Sequence, residues 1–233
     1  MRKLGLIGGT GYESTLVYYR ELNRIVNERC GGRSFPEMSL ESVDLYKALG
    51  YVAADDEDAL TAYLLDKLEN LAAGGAEFAA LTAGTMHIVF DRLKEKSPLP
   101  LVGIPQTVCD EAKRMGYQKV GLMGTIFTME KDFFKSALTE NGIEVIVPDK
   151  AQRELINQRI TTELELGIVN KSTEEEFLGI IEQMRAAHGI DALILGCTEL
   201  PLILGAHNCP LPVLDIMAIH INSLAGMILS EEG

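Results

Sequence analysis

The sequence predicts an α/β protein made of two similar doubly wound parallel-sheet domains related by pseudo-twofold symmetry. Three observations predict it. Short apolar runs alternate with longer stretches of helical period along the whole chain, the pattern of parallel strands joined by crossover helices. Landmarks of the first half recur in the second half, in the same order. The chain has 233 residues, 47% of them hydrophobic, enough for two domains of roughly 110 residues each.

Strands are expected at 3–7, 38–43, 78–81 and 101–104, and again at 119–123, 144–147, 192–195 and 213–214. Each is a short apolar run bounded by glycine, proline or polar residues. Helices are expected at 13–30, 57–72, 86–95 and 107–115, then at 129–141, 152–167, 173–188, 199–204 and 216–229. There the apolar residues recur with helical spacing.

The internal repeat rests on three matches. Gly5-Leu6-Ile7-Gly8 corresponds to Gly121-Leu122-Met123-Gly124, and Ala80-Leu81-Thr82-Ala83-Gly84 to Ile194-Leu195-Gly196-Cys197-Thr198. Pro100 before one late strand corresponds to Pro212 before another. A duplication of this kind places one domain at 1–104 plus 212–233 and the other at 105–211. Ligands of open α/β sheets sit beyond the carboxyl ends of the strands. A pseudo-twofold would turn both sets of strand ends toward one cleft. Such a cleft offers two similar faces to one small molecule, as inversion at a single carbon requires.

Composition excludes several classes. The net charge is −13 and there is no basic run, so nucleic acid is not an expected partner. No apolar stretch reaches roughly 18 residues, so no membrane span is expected. The first residues, Met1 to Gly8, are broken by glycine too soon for a signal peptide and read as a strand. The four cysteines show no CxxC spacing, which argues against a disulfide framework or a metal site and for a cytoplasmic protein.

Three loops could carry chemistry. The first, Gly8-Gly9-Thr10-Gly11-Tyr12-Glu13-Ser14, joins a strand to a helix, and its backbone N–H groups suit a carboxylate. Gly124-Thr125-Ile126-Phe127-Thr128 is its counterpart in the repeat. The second, Thr82-Ala83-Gly84-Thr85-Met86-His87, offers hydroxyls, a glycine and a histidine that could tune or relay protons. The third is Gly196-Cys197-Thr198-Glu199. Cys197 is expected between a strand end and a helix start, where the helix N-terminus would favour thiolate. Thr198 adds a hydroxyl, and Glu199 a proton acceptor.

These landmarks together resemble the aspartate/glutamate racemase family, whose members use no pyridoxal cofactor. The pieces that carry the resemblance span most of the chain: the N-terminal G-L-I-G-G with Glu13-Ser14-Thr15, Thr85-Met86-His87, Leu122-Met123-Gly124-Thr125 with Thr128-Met129, Ile156-Asn157-Gln158, Leu195-Gly196-Cys197-Thr198-Glu199, and Leu211-Pro212-Val213-Leu214-Asp215. The resemblance implies an amino-acid racemase with no cofactor or metal, a small-molecule amino acid or dicarboxylate as substrate, and a homodimer. It implies two cysteines working on opposite faces of the α-carbon, with Cys197 as the second. The first is replaced by Ala83, and the repeat independently pairs Ala83 with Cys197. Thr82 or His87 would then have to assist, while Gly9, Thr10, Gly84, Thr85, Thr125, Thr128 and Thr198 would hold substrate. The segment 161–167 offers glutamates where the family carries a basic residue. Two other readings stay open: a one-thiol lyase like the arylmalonate decarboxylases, and a catalytically weakened amino-acid-binding protein.

Overall fold

The computed structural model describes residues 1–230 and divides into two compact units. The first comprises residues 1–104 with the segment from His220 onward, and the second is Pro105–Ile219. In the first unit β1 (Leu4–Gly8) leads into α1 (Tyr12–Arg29), followed by β2 (Met38–Ser42), α2 (Leu45–Ala53) and α3 (Glu57–Ala73). Then come β3 (Phe78–Leu81), a 3-10 turn at Gly84–Val89, α4 (Phe90–Lys96) and β4 (Leu101–Val102). The sheet is parallel with strand order β2-β1-β3-β4. All residues of β1 and β3 are buried, as expected for central strands covered on both faces. Leu60, Leu64, Leu68 and Leu71 of α3 pack with Ile7, Ala79 and Leu81 into one core.

Helix α5 (Ile104–Met115) carries the chain into the second unit. There β5 (Lys119–Met123), α6 (Ile126–Glu130), α7 (Asp132–Thr139) and β6 (Glu144–Ile146) precede α8 (Lys150–Thr162). A 3-10 turn at Leu164–Leu166, α9 (Lys171–His188), β7 (Ala192–Leu195), a 3-10 turn at Leu200–Leu202 and β8 (Val213–Asp215) complete it, and α10 (Ile216–Leu229) returns to the first unit. The strand order is β6-β5-β7-β8, again all parallel. The expected α/β class with two similar parallel sheets is what the structure contains.

The registers match as well. Leu81 lies beside Ile7 at the end of β3, and Leu195 beside Met123 at the end of β7. Ala83 and Cys197 therefore hold corresponding positions beyond corresponding strands.

Several sequence expectations are corrected. Residues 212–219 belong to the second unit, not the first, because β8 hydrogen-bonds to β7 and completes that sheet. The helix expected at 86–95 is a 3-10 turn followed by α4. The helix expected at 129–141 starts earlier and breaks at Lys131, which is extended at φ −74°, ψ 155°. The helix expected at 199–204 is only the 3-10 turn Leu200–Leu202, with Pro201 at its start. Helix α2 had no counterpart in the sequence reading. It is nine residues long with Gly50 inside, which weakens its helical signature, yet Asp44 caps it by accepting from the Tyr46 and Lys47 N–H groups.

Candidate active site

In each unit the strand order changes direction between two central strands, β1 and β3 in one and β5 and β7 in the other. Loops leaving the carboxyl ends of such neighbours run to opposite sides and leave a crevice. In the second unit these loops hold Gly124–Thr128 and Gly196–Glu199. Glycine is required where they meet. A Cβ on Gly196 would stand 2.9 Å from both the Leu122 side chain and the Met123 carbonyl, and one on Gly124 would stand 3.2 Å from the Gly196 backbone. This close approach sets the Thr125–Thr128 turn beside Cys197, Thr198 and Glu199.

Cys197 is half-buried against the core of the second unit. Its thiol donates to Oε2 of Glu199 at 2.8 Å, and the Thr198 hydroxyl donates to the same oxygen at 2.8 Å. The expected thiolate is thereby corrected. Burial, the Glu199 charge and the hydrogen bond to Glu199 push the Cys197 thiol well above its ordinary value. The expected helix N-terminus is only a three-residue 3-10 turn, too short to supply a compensating dipole. Cys197 therefore rests as a protonated thiol with a carboxylate acceptor already in place.

The neighbouring turn is internally tied. Thr125 caps α6 by accepting from the Thr128 N–H at 3.4 Å, and the two threonine hydroxyls lie 3.2 Å apart. The Ile126 N–H donates to Oδ1 of Asn157 at 2.9 Å. Asn157, on α8, is thus a positioning residue for this turn; the sequence reading placed it within a motif but gave it no role.

In the first unit Thr82 is buried, and its hydroxyl donates to the Ile7 carbonyl at 3.3 Å and lies 3.3 Å from that of Thr15. Thr15 in turn accepts from the Gly9 N–H at 3.0 Å. Thr82 and the Gly9 N–H are therefore spent on closing the strand ends, against the roles expected for them. Gly9 takes a left-handed φ of 89° and lies against Val43, a geometry only glycine meets without strain. The hydroxyls of Thr10 and Thr85 have no side-chain hydrogen bond among the described residues, and Ala83, Gly84 and Thr85 are only half-buried.

His87 is also corrected. It is 3% exposed. The Ile104 N–H donates to its Nε2 at 3.0 Å, which leaves the ring proton on Nδ1, and Nδ1–H donates to the Ala83 carbonyl at 3.0 Å. Burial lowers its pKa to about 4. A neutral ring with both nitrogens committed to backbone cannot relay protons. It fixes the Ala83 loop instead.

The glutamates noted in the segment 161–167 have different surroundings. Glu165 sits in the 3-10 turn after α8, and its carboxyl is pushed up by partial burial and by the charge of Glu199. Its neighbour Glu163 is fully engaged by Thr173, Asn170 and Arg159. Among the described residues no group of three or more histidine, cysteine or acidic side chains is placed to hold a metal. Among the described residues no helix is long and apolar enough to cross a membrane.

The chain as a whole is similar to known proteins. The family model described as Asp/Glu/Hydantoin racemase matches residues 7–224. A Yersinia pestis protein classed provisionally as an Asp/Glu racemase superposes with TM-score 0.95 at 36% identity, covering 99% of this chain and 100% of the other. An aspartate racemase homologue from Pyrococcus horikoshii superposes with TM-score 0.90 at 34% identity over 99% of this chain and 100% of that one. The broad specificity amino-acid racemase RacX of Bacillus subtilis is 22% identical over 98% of this chain and 99% of its own length.

Proposed function

The chain belongs to the Asp/Glu/hydantoin racemase family, and on that premise we propose that it is an amino-acid racemase in which Cys197 is one acid/base at the substrate α-carbon. The observation that carries this reading is the Cys197 thiol donating to the Glu199 carboxylate at 2.8 Å. Glu199 takes the thiol proton, and the thiolate so formed removes the α-proton. The electron pair stays on the α-carbon and is delocalised into the substrate carboxylate. A proton delivered to the opposite face completes inversion, and Glu199 returns its own proton through solvent. In the other direction the thiol donates directly. Such a couple removes the need for a free thiolate at rest.

The opposite face needs another donor. The position matching Cys197 in the repeat is Ala83, which has none to offer, and the Thr82 hydroxyl is committed to backbone. That leaves Thr85 or a water. Substrate would be held by the hydroxyls of Thr125, Thr128 and Thr198, in the loops of the second unit around Cys197. The chemistry proposed uses only side chains and water, with no cofactor, and the expected assembly is a homodimer.

Incubation with L- and D-amino acids in D₂O, followed by NMR at the α-position, tests the reading. Exchange with loss of optical purity is expected. Cys197→Ser should lower the exchange rate by at least about a hundredfold, and Ala83→Cys should raise racemisation. An unchanged rate in Cys197→Ser would overturn the assignment. Release of CO₂ from arylmalonates without amino-acid exchange would favour the one-thiol lyase, for which a single donor suffices.

A further inference from the structure

Helix α1 carries two faces of large side chains, and the first unit covers only one. Thr15, Tyr18, Leu22, Ile25 and Val26 are buried. Tyr12, Leu16 and Tyr19 follow one another by four and three residues, which sets them in a line along the helix. They are 66%, 61% and 57% exposed. A helix that docks on its own sheet needs only the first face. We propose that the second face receives a second copy of this chain, with α1 packed antiparallel on its counterpart. The racemase reading expects a homodimer without naming a surface for it. This face supplies one, and its test reads mass rather than activity, so either reading can fail alone.

The apolar surface extends beyond the helix. A Cβ on Gly8 would stand 2.5 Å from the Thr15 methyl and 3.0 Å from a Leu40 methyl. Leu40 therefore lies beside α1 at Thr15, on the edge strand β2, and is itself exposed. Farther along α1, Asn27 donates to the Ser34 carbonyl at 3.1 Å. That bond holds the chain before β2 against the helix, and the next residue, Phe35, is exposed. Aromatic and aliphatic groups gathered in this way mark an interaction surface.

The charges say what covers it. Glu13 and Arg20 each follow a residue of the line by one position, so they share one flank of it, two turns apart. Glu13 accepts from the Tyr12 hydroxyl and pairs with no cation among the described residues. The Arg20 side chain is 71% exposed and reaches only its neighbour Glu21, at 3.0 Å. Glu21 is already held by Arg24 at 2.8 Å. A twofold axis beside Leu16 and Val17 turns α1 end for end and keeps this flank on its own side. Glu13 then faces Arg20 of the second copy, and Arg20 faces the other Glu13. The face is thus complementary to itself, as an interface between identical chains requires. An unrelated partner would need no such symmetry. The exposed line between the pairs has the spacing of an antiparallel helix seam.

Sedimentation velocity across a dilution series should show the wild-type chain as a dimer. Leu16→Glu should raise the dissociation constant at least about tenfold, the scale of losing a central apolar contact. Glu13→Arg and Arg20→Glu should each raise it about fivefold. The double variant Glu13→Arg/Arg20→Glu should bring it back near the wild-type value, because both pairs re-form with their signs exchanged. All three positions are exposed, and far-UV circular dichroism checks that the variants keep their helices. Should Leu16→Glu lose them, the charge exchange alone decides. A monomeric wild type, a dimer that a folded Leu16→Glu leaves intact, or a double variant no tighter than either single one would overturn the proposal.

Discussion

At the scale of the residue, the site turns on the state of one proton. Cys197 is held as a thiol because its burial disfavours the thiolate and its acceptor, Glu199, is anionic. Removing the Glu199 charge should therefore lower the thiol pKa rather than raise it. Glu199→Gln is expected to make Cys197 alkylate faster at pH 8, with the pH-midpoint of iodoacetamide modification moved toward the ordinary thiol value. Mass spectrometry of the Cys197 peptide reads this, and a midpoint that stays or rises would show that Glu199 is not what holds the proton. The importance of Cys197 was legible in Gly-Cys-Thr-Glu, because that context stands at the repeat position of Thr82-Ala83-Gly84 with a nucleophile in place of the alanine. Its protonation state was not, since it depends on where the Glu199 side chain folds back. His87 misled for a similar reason. A histidine beside a loop of small residues reads as a proton carrier, and only the backbone partners on both ring nitrogens show that it is a strut.

At the scale of the element, the loops are shaped by what the strand ends permit. The second unit's site depends on two loops meeting at Gly124 and Gly196 with no space for a methyl group. Gly196→Ala should cost about 1–3 kcal/mol in a urea unfolding experiment and should also slow α-proton exchange, by displacing Cys197. Full activity with full stability would mean that the loops tolerate more separation than this packing implies. The central strands were readable to the residue at 78–81, 119–123 and 192–195, because a buried parallel strand leaves a nearly continuous apolar run. The short helices were not. Whether residues after Ala83 and Glu199 wind as α or 3-10 is settled by close packing and by Pro201, not by hydrophobic period. Helix α2 had a readable start in Asp44, but Gly50 masked the rest.

At the scale of the whole molecule, two buried histidines make stability depend on pH. His87 and His220 are neutral in the fold, with pKa values lowered to about 4 and about 3, mainly by burial. Their ordinary value is 6.5. Between those limits the unfolded chain binds protons that the folded chain does not, so stability is complete above about pH 6.5 and is lost as pH falls toward 4. For His87 alone the loss is on the order of 3 kcal/mol across that window. Urea midpoints at pH 7, 5.5 and 4.5 should fall steadily, and His220→Gln should fall less steeply whatever its absolute stability. Equal slopes would mean that other groups govern the acid response. The duplication was readable at this scale because landmarks recur in order, whereas the boundary at 212 was misplaced because the repeat marks a strand without saying which sheet it joins. The same connectivity also governs how the protein matures. The second unit is one continuous stretch, finished once β8 has been made. The first lacks its closing helix until the far end of the chain emerges, because His220 locks Tyr18 and Val102, and Ile228 accepts from the Arg2 N–H. The amino-terminal sheet is synthesised first and completed last, so on the ribosome it must wait for a helix encoded some two hundred codons downstream.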